Sequence, residues 1–414
     1  LSANTSGASN TAVGKSALKV NQTGNDNVAV GQQALEDNTG SSNTAVGYAS
    51  LLENTSGTNN SALGKGALQN NTTGGSSVAV GKGALDANTS GTTNIAIGVN
   101  ALGANTTASD NVAVGHSALL VNTTGTKLTA VGYESLDANT TGDQSSAFGY
   151  AALTANTTGN QSTAVGTSSL TANTTGSSNV AMGFEALKAN TTADSNTGIG
   201  YRALLANTTA SQNTAVGAQT LTNNTTGAQN VALGFYSLDS NTTASNNTGV
   251  GYQSLYTNTT GANNTAVGLN ALVVNTTGGS NTAVGKGALD ANTTATGNTA
   301  VGVNAGGATT TGHVTAVGYA VLQSNTTGTA NVAVGGNDET SAAAMQSNTT
   351  GANNTAMGVA ALKSNTTASN NAGIGYQALR LNTTGAGNTA VGANASDANT
   401  TGANTAAFGA SALS

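Results

Sequence analysis

The stretch Asn264 to Ser280 reads NTAVGLNALVVNTTGGS, and the pattern begins again at Asn281 as NTAVGKGALDANTTATG. Working outward from it, the glycine that closes the TAVG motif recurs at Gly14, Gly31, Gly47, Gly64 and Gly81 and so on to Gly409, 24 times in all. The spacing is 17 residues almost everywhere, with 16 between Gly31 and Gly47 and between Gly302 and Gly318, and 23 between Gly335 and Gly358. A fixed internal period outranks any local reading, because it makes each unit one structural module stacked on its neighbours.

Seventeen residues are too few for a helix-turn-helix repeat of about 34 to 45 residues, and the glycine and Asn-Thr-Thr-Gly punctuation would interrupt a helix inside every unit. Strands fit better. Thr-Ala-Val is a short β-prone run, Ala-Leu marks a second apolar contact, and Asn-Thr-Thr-Gly supplies a turn. The unit therefore predicts two short strands and two bends, together one coil of a parallel β-solenoid or β-roll, hydrogen-bonded to the coils before and after it. The whole of residues 1–414 reads as a single continuous array of about 24 coils.

Composition narrows the function. Lys+Arg 10 against Asp+Glu 16 leaves a net charge of -6 and no basic stripe, which excludes nucleic-acid binding by phosphate neutralisation. No cysteine is present for a disulfide framework or thiolate metal site. No apolar run approaches the roughly 18 residues of a membrane helix, so membrane insertion by this segment is not expected. Leu1 and Ser414 fall at nearly the same point of the unit. Natural solenoids end in atypical caps, so this register predicts a segment of a longer polypeptide or a protomer stacked end to end in a filament.

Two ladders run through the repeat. Val13, Val30, Val46, Leu63 and their successors precede the glycine, while Leu18, Leu35, Leu51, Leu68 and their successors follow it by four, interrupted at Gly306 and Ser396. Both are expected to point inward as a thin dry core. Strand alternation then sends Ala12, Ala29, Ala45 and their equivalents outward, with Gly198, Gly249 and Gly373 as the replacements. A small, uncharged outer face predicts close approach of another subunit. The competing reading is that alanine merely fills a narrow coil.

The repeated N-T-A-V-G-x-x-A-L with N-T-T-G spacers resembles the head repeats of trimeric autotransporter adhesins, and also the repeats of phage tail fibres and bacterial surface fibres. The resemblance covers Thr11 to Leu413. It implies a left-handed parallel β-roll, a homotrimer, and a role in adhesion or as a rigid spacer. Two departures stand against the adhesin family in particular: its repeat is usually nearer 14 residues, and no coiled-coil stalk or membrane anchor is present in this sequence.

Candidate site residues fall on two columns. The position after the glycine carries Tyr48, Tyr133, Tyr150, Tyr201, Tyr252, Tyr319 and Tyr376, with Phe184 and Phe235, but also Lys15, Lys65, Lys82 and Lys286. Mixing lysine with tyrosine predicts an exposed rim that could contact a host-surface protein or a glycan, or simply shield backbone. The second column contains Asn88, Asn105, Asn122, Asn139, Asn156, Asn173, Asn190 and Asn207. Most of its members sit in N-glycosylation triplets, yet a structural ladder of stacked amides is the stronger expectation. Rows of Thr-Thr such as Thr276 and Thr277 would suit ice binding or merely solvate a turn.

His116 and His313 lie far apart in the array, and the segment 336–345, with Asp338 and Glu339, reads as a loop insertion with too few carboxylates for a calcium cage. No catalytic, metal or cofactor-binding set emerges. The expected function is thus a non-enzymatic extracellular fibre whose partner is itself, on a cell surface or virion. The alternative is a monomeric ice- or carbohydrate-binding solenoid.

Overall fold

The computed structural model describes residues 2–336 and 342–414. Among these the chain forms 24 strands of three residues each and no helix. It divides into two compact units, Leu1–Thr209 and Ala210–Ser414. In the first, strands Thr11–Val13 through Thr197–Ile199 pair in parallel with their successors, as in Ser146↔Thr163 and Val180↔Thr197. In the second, strands Thr214–Val216 through Ala406–Phe408 repeat the pattern, as in Thr265↔Thr282. Each unit is an all-β parallel solenoid with a 17-residue coil.

Pairing continues well beyond the three-residue strands. Going round one coil, the Ser146 N–H donates to Ser162 O at 2.8 Å, Leu153 to Ser169 at 3.0 Å and Thr157 to Thr174 at 2.8 Å. A proline in any of these places would remove a donor and break a rung, which accounts physically for Pro 0 in 414 residues.

The motif glycine is required twice over. Gly149 has φ of 136°, and a Cβ there would lie 2.7 Å from the carbonyl oxygen of Gly166 in the next coil. Only a residue without Cβ lets successive backbones stack that closely. More surprising are the left-handed residues with side chains: Ala151 (φ 51°), Leu153 (φ 55°) and Gln161 (φ 55°) represent three columns that bend the chain at the same places in coil after coil. Each costs about 1–2 kcal/mol relative to a right-handed conformation, which the inter-coil bonds and the buried leucine must offset.

The interior corrects the expected orientation of the strand. Ala147, Ala164, Ala266 and Ala283 are fully buried, whereas Val13, Leu63, Phe148 and Met182 are exposed. Alanine faces the core and the larger residue faces out. A methyl group built on Gly198, which holds the alanine position, would meet Leu187 Cγ at 3.2 Å. The strand centre therefore packs against leucine from the opposite wall. Leucine and valine together would overfill that gap, so the coil takes the smaller side chain inside. The reading in which alanine fills a narrow coil is the correct one, and the small outer face that argued for subunit contact does not exist. The leucine ladder is internal as expected: Leu153, Leu170 and Leu187 are fully buried, each contributing roughly 1.5–3 kcal/mol.

One coil departs from the pattern. Between Gly302 and Gly318, Gly306 stands in the leucine column, Thr309 in an asparagine column and Val314 in another. Asn292 Oδ1, Asn298 Nδ2, Thr309 Oγ1 and Thr311 Oγ1 are left buried without partners. The loop expected at 336–345 falls largely on 337–341, outside the described residues. On either side of it pairing is in register, Val332↔Thr355.

Candidate functional site

Because alanine turns in, the outer face of each sheet carries the residues on either side of it. The column before the glycine includes Val131, Phe148, Val165, Met182 and Ile199 in the first unit and Val216, Leu233, Val250, Val267 and Val284 in the second. Every strand among the described residues contributes an apolar side chain to this column, and no strand residue is charged. The companion column is mostly threonine or serine, interspersed with apolar residues such as Ile95, Val112, Val180 and Val231. Along the column before the glycine the side chains are half-buried or exposed, an apolar strip of the kind that interaction faces carry.

Beyond the glycine bend lies the aromatic column. Tyr48, Tyr133, Tyr150, Tyr201, Tyr252 and Tyr376 are exposed, and Tyr319 is half-buried. Where aromatic residues occupy successive coils they stack: His116 on Tyr133 at 5.2 Å between centroids, Tyr133 on Tyr150 at 5.3 Å, Phe184 on Tyr201 at 5.7 Å and Phe235 on Tyr252 at 5.9 Å. Lys65 lies over the Tyr48 ring and Arg202 over Tyr201. Inside a stack the ring faces cover one another, so an approaching molecule meets ring edges and hydroxyls. Such a column suits a polar or protein contact better than a sugar laid on a ring face. Sequence reasoning found these tyrosines but not their stacking, although the 17-residue step from His116 to Tyr133 to Tyr150 was the signal.

The asparagine column is internal. Asn88, Asn105, Asn122, Asn139, Asn156, Asn173, Asn190 and Asn207 are fully buried. Each Nδ2 donates to Oδ1 of the asparagine one coil earlier, as from Asn139 to Asn122 at 2.9 Å, Asn156 to Asn139 at 2.9 Å and Asn190 to Asn173 at 2.9 Å. The same nitrogen closes a tight turn, for example Asn156 to the Gly159 carbonyl at 3.0 Å. Both amide hydrogens are spent and the group is out of solvent, so in the folded chain this column is a scaffold, inaccessible to glycan transfer. The first threonine hydroxyl of each pair is spent likewise: Thr276 Oγ1 donates to the Thr293 carbonyl at 3.0 Å, leaving Thr277 as the solvent-facing hydroxyl.

Among the described residues the ionisable groups stand singly or in ion pairs. The Lys188 ammonium, followed by Arg202, holds the Glu185 carboxyl below its usual range, and Lys19 does the same for Glu36. Burial pushes the carboxyls of Asp86, Asp137 and Asp290 up. A pocket of about 450 Å³ brings Asp290 together with Asn304 and Gln323, one carboxylate with two amides and no nucleophile. Among the described residues no three His, Asp or Glu side chains converge as metal ligands, and no helix is long and apolar enough to cross a membrane. His116 belongs to the first unit and His313 to the second. No protein-family model matches this chain, and no curated protein matches it.

Proposed function

We propose that this chain is a non-enzymatic structural and adhesive extracellular fibre, a surface adhesin or fibre shaft of a cell or virion, assembled as a homotrimer of left-handed β-rolls. The observation that carries the reading is the uncharged apolar column along the strands, whose side chains are half-buried or exposed and never buried. Three residues of strand width at about 3.3 Å each, repeated every 4.8 Å, give roughly 50 Å² per coil. The twelve strands of one unit thus present about 600 Å², about three quarters of the roughly 800 Å² per partner of a standard stable interface before any flanking column is added. Closure about a threefold axis would cover that face on all copies at once. The flanking aromatic column stays at the rim, where contact with a host-surface protein or glycan would be made.

Sedimentation of the wild type beside Val267→Asp/Val284→Asp tests this. The expected result is a trimer for the wild type and a folded monomer for the variant, since both substitutions lie on the outer face. Ala266→Asp should instead unfold its coil by placing a carboxylate in the core. A wild-type chain that sediments as a folded monomer at micromolar concentration would defeat the proposal.

A further inference from the structure

The column of exposed aromatics brings two tyrosines together in successive coils, and nothing in the fibre reading uses that pairing. Tyr133 and Tyr150 stack with centroids 5.3 Å apart and planes 7° from parallel, and both side chains are exposed. They hang from coils tied by the backbone, Gly149 N–H to Val131 O at 2.8 Å and Ala151 N–H to Tyr133 O at 3.0 Å. The rings are thereby held as neighbours rather than meeting by chance. The chain also has no cysteine and no tryptophan to intercept a one-electron oxidant or to provide a disulfide in its place.

We infer that Tyr133 and Tyr150 form a site of oxidative cross-linking, in which a peroxidase-type oxidant with hydrogen peroxide joins the two rings as a dityrosine that staples adjacent coils. Each phenol gives up one electron and one proton. The two phenoxyl radicals couple through ring carbons ortho to the oxygens, and the two ring hydrogens shift so that both phenols are restored. Overall one carbon–carbon bond forms, two hydrogens leave the protein, and one peroxide is reduced to two waters.

Glu134 is placed to assist. It follows Tyr133 directly in the chain, and its carboxylate is the leading cause that holds that phenol's pKa above its ordinary value. Losing an electron turns the phenol into a strong acid, and a carboxylate already beside it can receive the proton. Glu134 is therefore a positioning residue for the first oxidation. Tyr236 and Tyr256 make the other close tyrosine pair, but their planes cross at 76° and both are half-buried, which gives an oxidant poorer access.

The test is treatment of the full chain, at low micromolar concentration, with peroxidase and hydrogen peroxide, followed by cleavage at acidic residues. Glu134, Asp137 and Asp143 lie between the two tyrosines, so proteolysis separates them unless they are linked. The expected product is a joined peptide containing Tyr133 and Tyr150, lighter by two hydrogens than its parts, from within one chain. Tyr150→Phe, which keeps the stack, should abolish it, and Glu134→Gln should slow its appearance several-fold. Links only between different chains, or oxidation of Met182, Met345 and Met357 with no joined peptide, would overturn the inference. An unchanged rate in Glu134→Gln would overturn the role given to that residue. The joined peptide from within one chain is expected whatever the oligomeric state.

Discussion

Replacing Asn156 by Asp changes almost no volume, so it isolates what the amide ladder contributes. In the wild type Asn156 Nδ2 donates to Asn139 Oδ1 at 2.9 Å and to Gly159 O at 3.0 Å, while its Oδ1 accepts from Asn173 Nδ2 at 2.9 Å. A carboxylate keeps only the last of these. Two buried acceptors lose their donors, at about 1–3 kcal/mol each, and a charge faces them in a dry interior. The expected loss at neutral pH is about 3–5 kcal/mol of local stability.

The folded pKa of this Asp is raised, because burial and neighbouring acceptors oppose its charge. The variant should therefore be most stable below the ordinary carboxylate pKa of about 3.9 and should weaken as pH rises through the raised value. Protonation returns one donor, so about half the loss should be recovered at low pH. At roughly 1.4 kcal/mol per decade, hydrogen exchange across residues 139–176 should lose about 10²–10⁴ in protection at neutral pH. Residues 248–285 in the second unit serve as the control. Protection within threefold of the wild type at neutral pH, or a larger deficit in acid than at neutral pH, would refute the reasoning.

Thr309→Asn supplies the reverse change in the irregular coil: it offers a donor to Asn292 Oδ1, now buried without one. A gain of about 1–2 kcal/mol should raise protection near residues 292–325 roughly tenfold, and no change there would show that the vacancy is not what weakens the ladder. Asp86→Asn should stabilise modestly at neutral pH, roughly 0.5 kcal/mol after allowance for solvent screening, because burial raises the Asp86 carboxyl despite bonds from its own N–H and that of Ala87. A folded pKa above the unfolded one means that the wild type gains stability on acidification. Urea midpoints of the two proteins should therefore converge toward pH 4, and a constant gap would argue against the burial effect.

The period, the Thr-Ala-Val strand, the leucine ladder and the asparagine ladder were legible because each rests on a column that varies little. The second strand expected in each coil is absent among the described residues, and its Ala-Leu pair lies in a turn where leucine takes positive φ. Which strand face turned inward was not. Alternation says that Thr265 and Val267 share a face and Ala266 takes the other, but with no charge on either face the pattern cannot choose between them. The choice is made by the width of the coil, set by leucine on the far wall, and width is not a property of any one segment. The left-handed leucines were hidden for a related reason, since leucine carries no preference for that conformation. A trace of such bends does survive in the sequence. Gly66, Gly83 and Gly287 share the column of Ala151, and Gly297 and Gly387 share that of Gln161; all five have φ between 63° and 72°. Occasional glycine in an otherwise mixed column was the signal for positive φ.

Because Nδ2 of each ladder asparagine reaches only the preceding coil and each strand pairs only with its immediate neighbours, one unit's surroundings are nearly the same wherever it stands in the row. This has a genetic consequence. The stretch GKGALDAN occurs at both Gly81–Asn88 and Gly285–Asn292. Unequal recombination between two such stretches would remove or add whole coils and join the flanks in register, with every bond re-formed to an equivalent partner. The gene can therefore gain or lose whole coils in single steps without passing through an unfolded product.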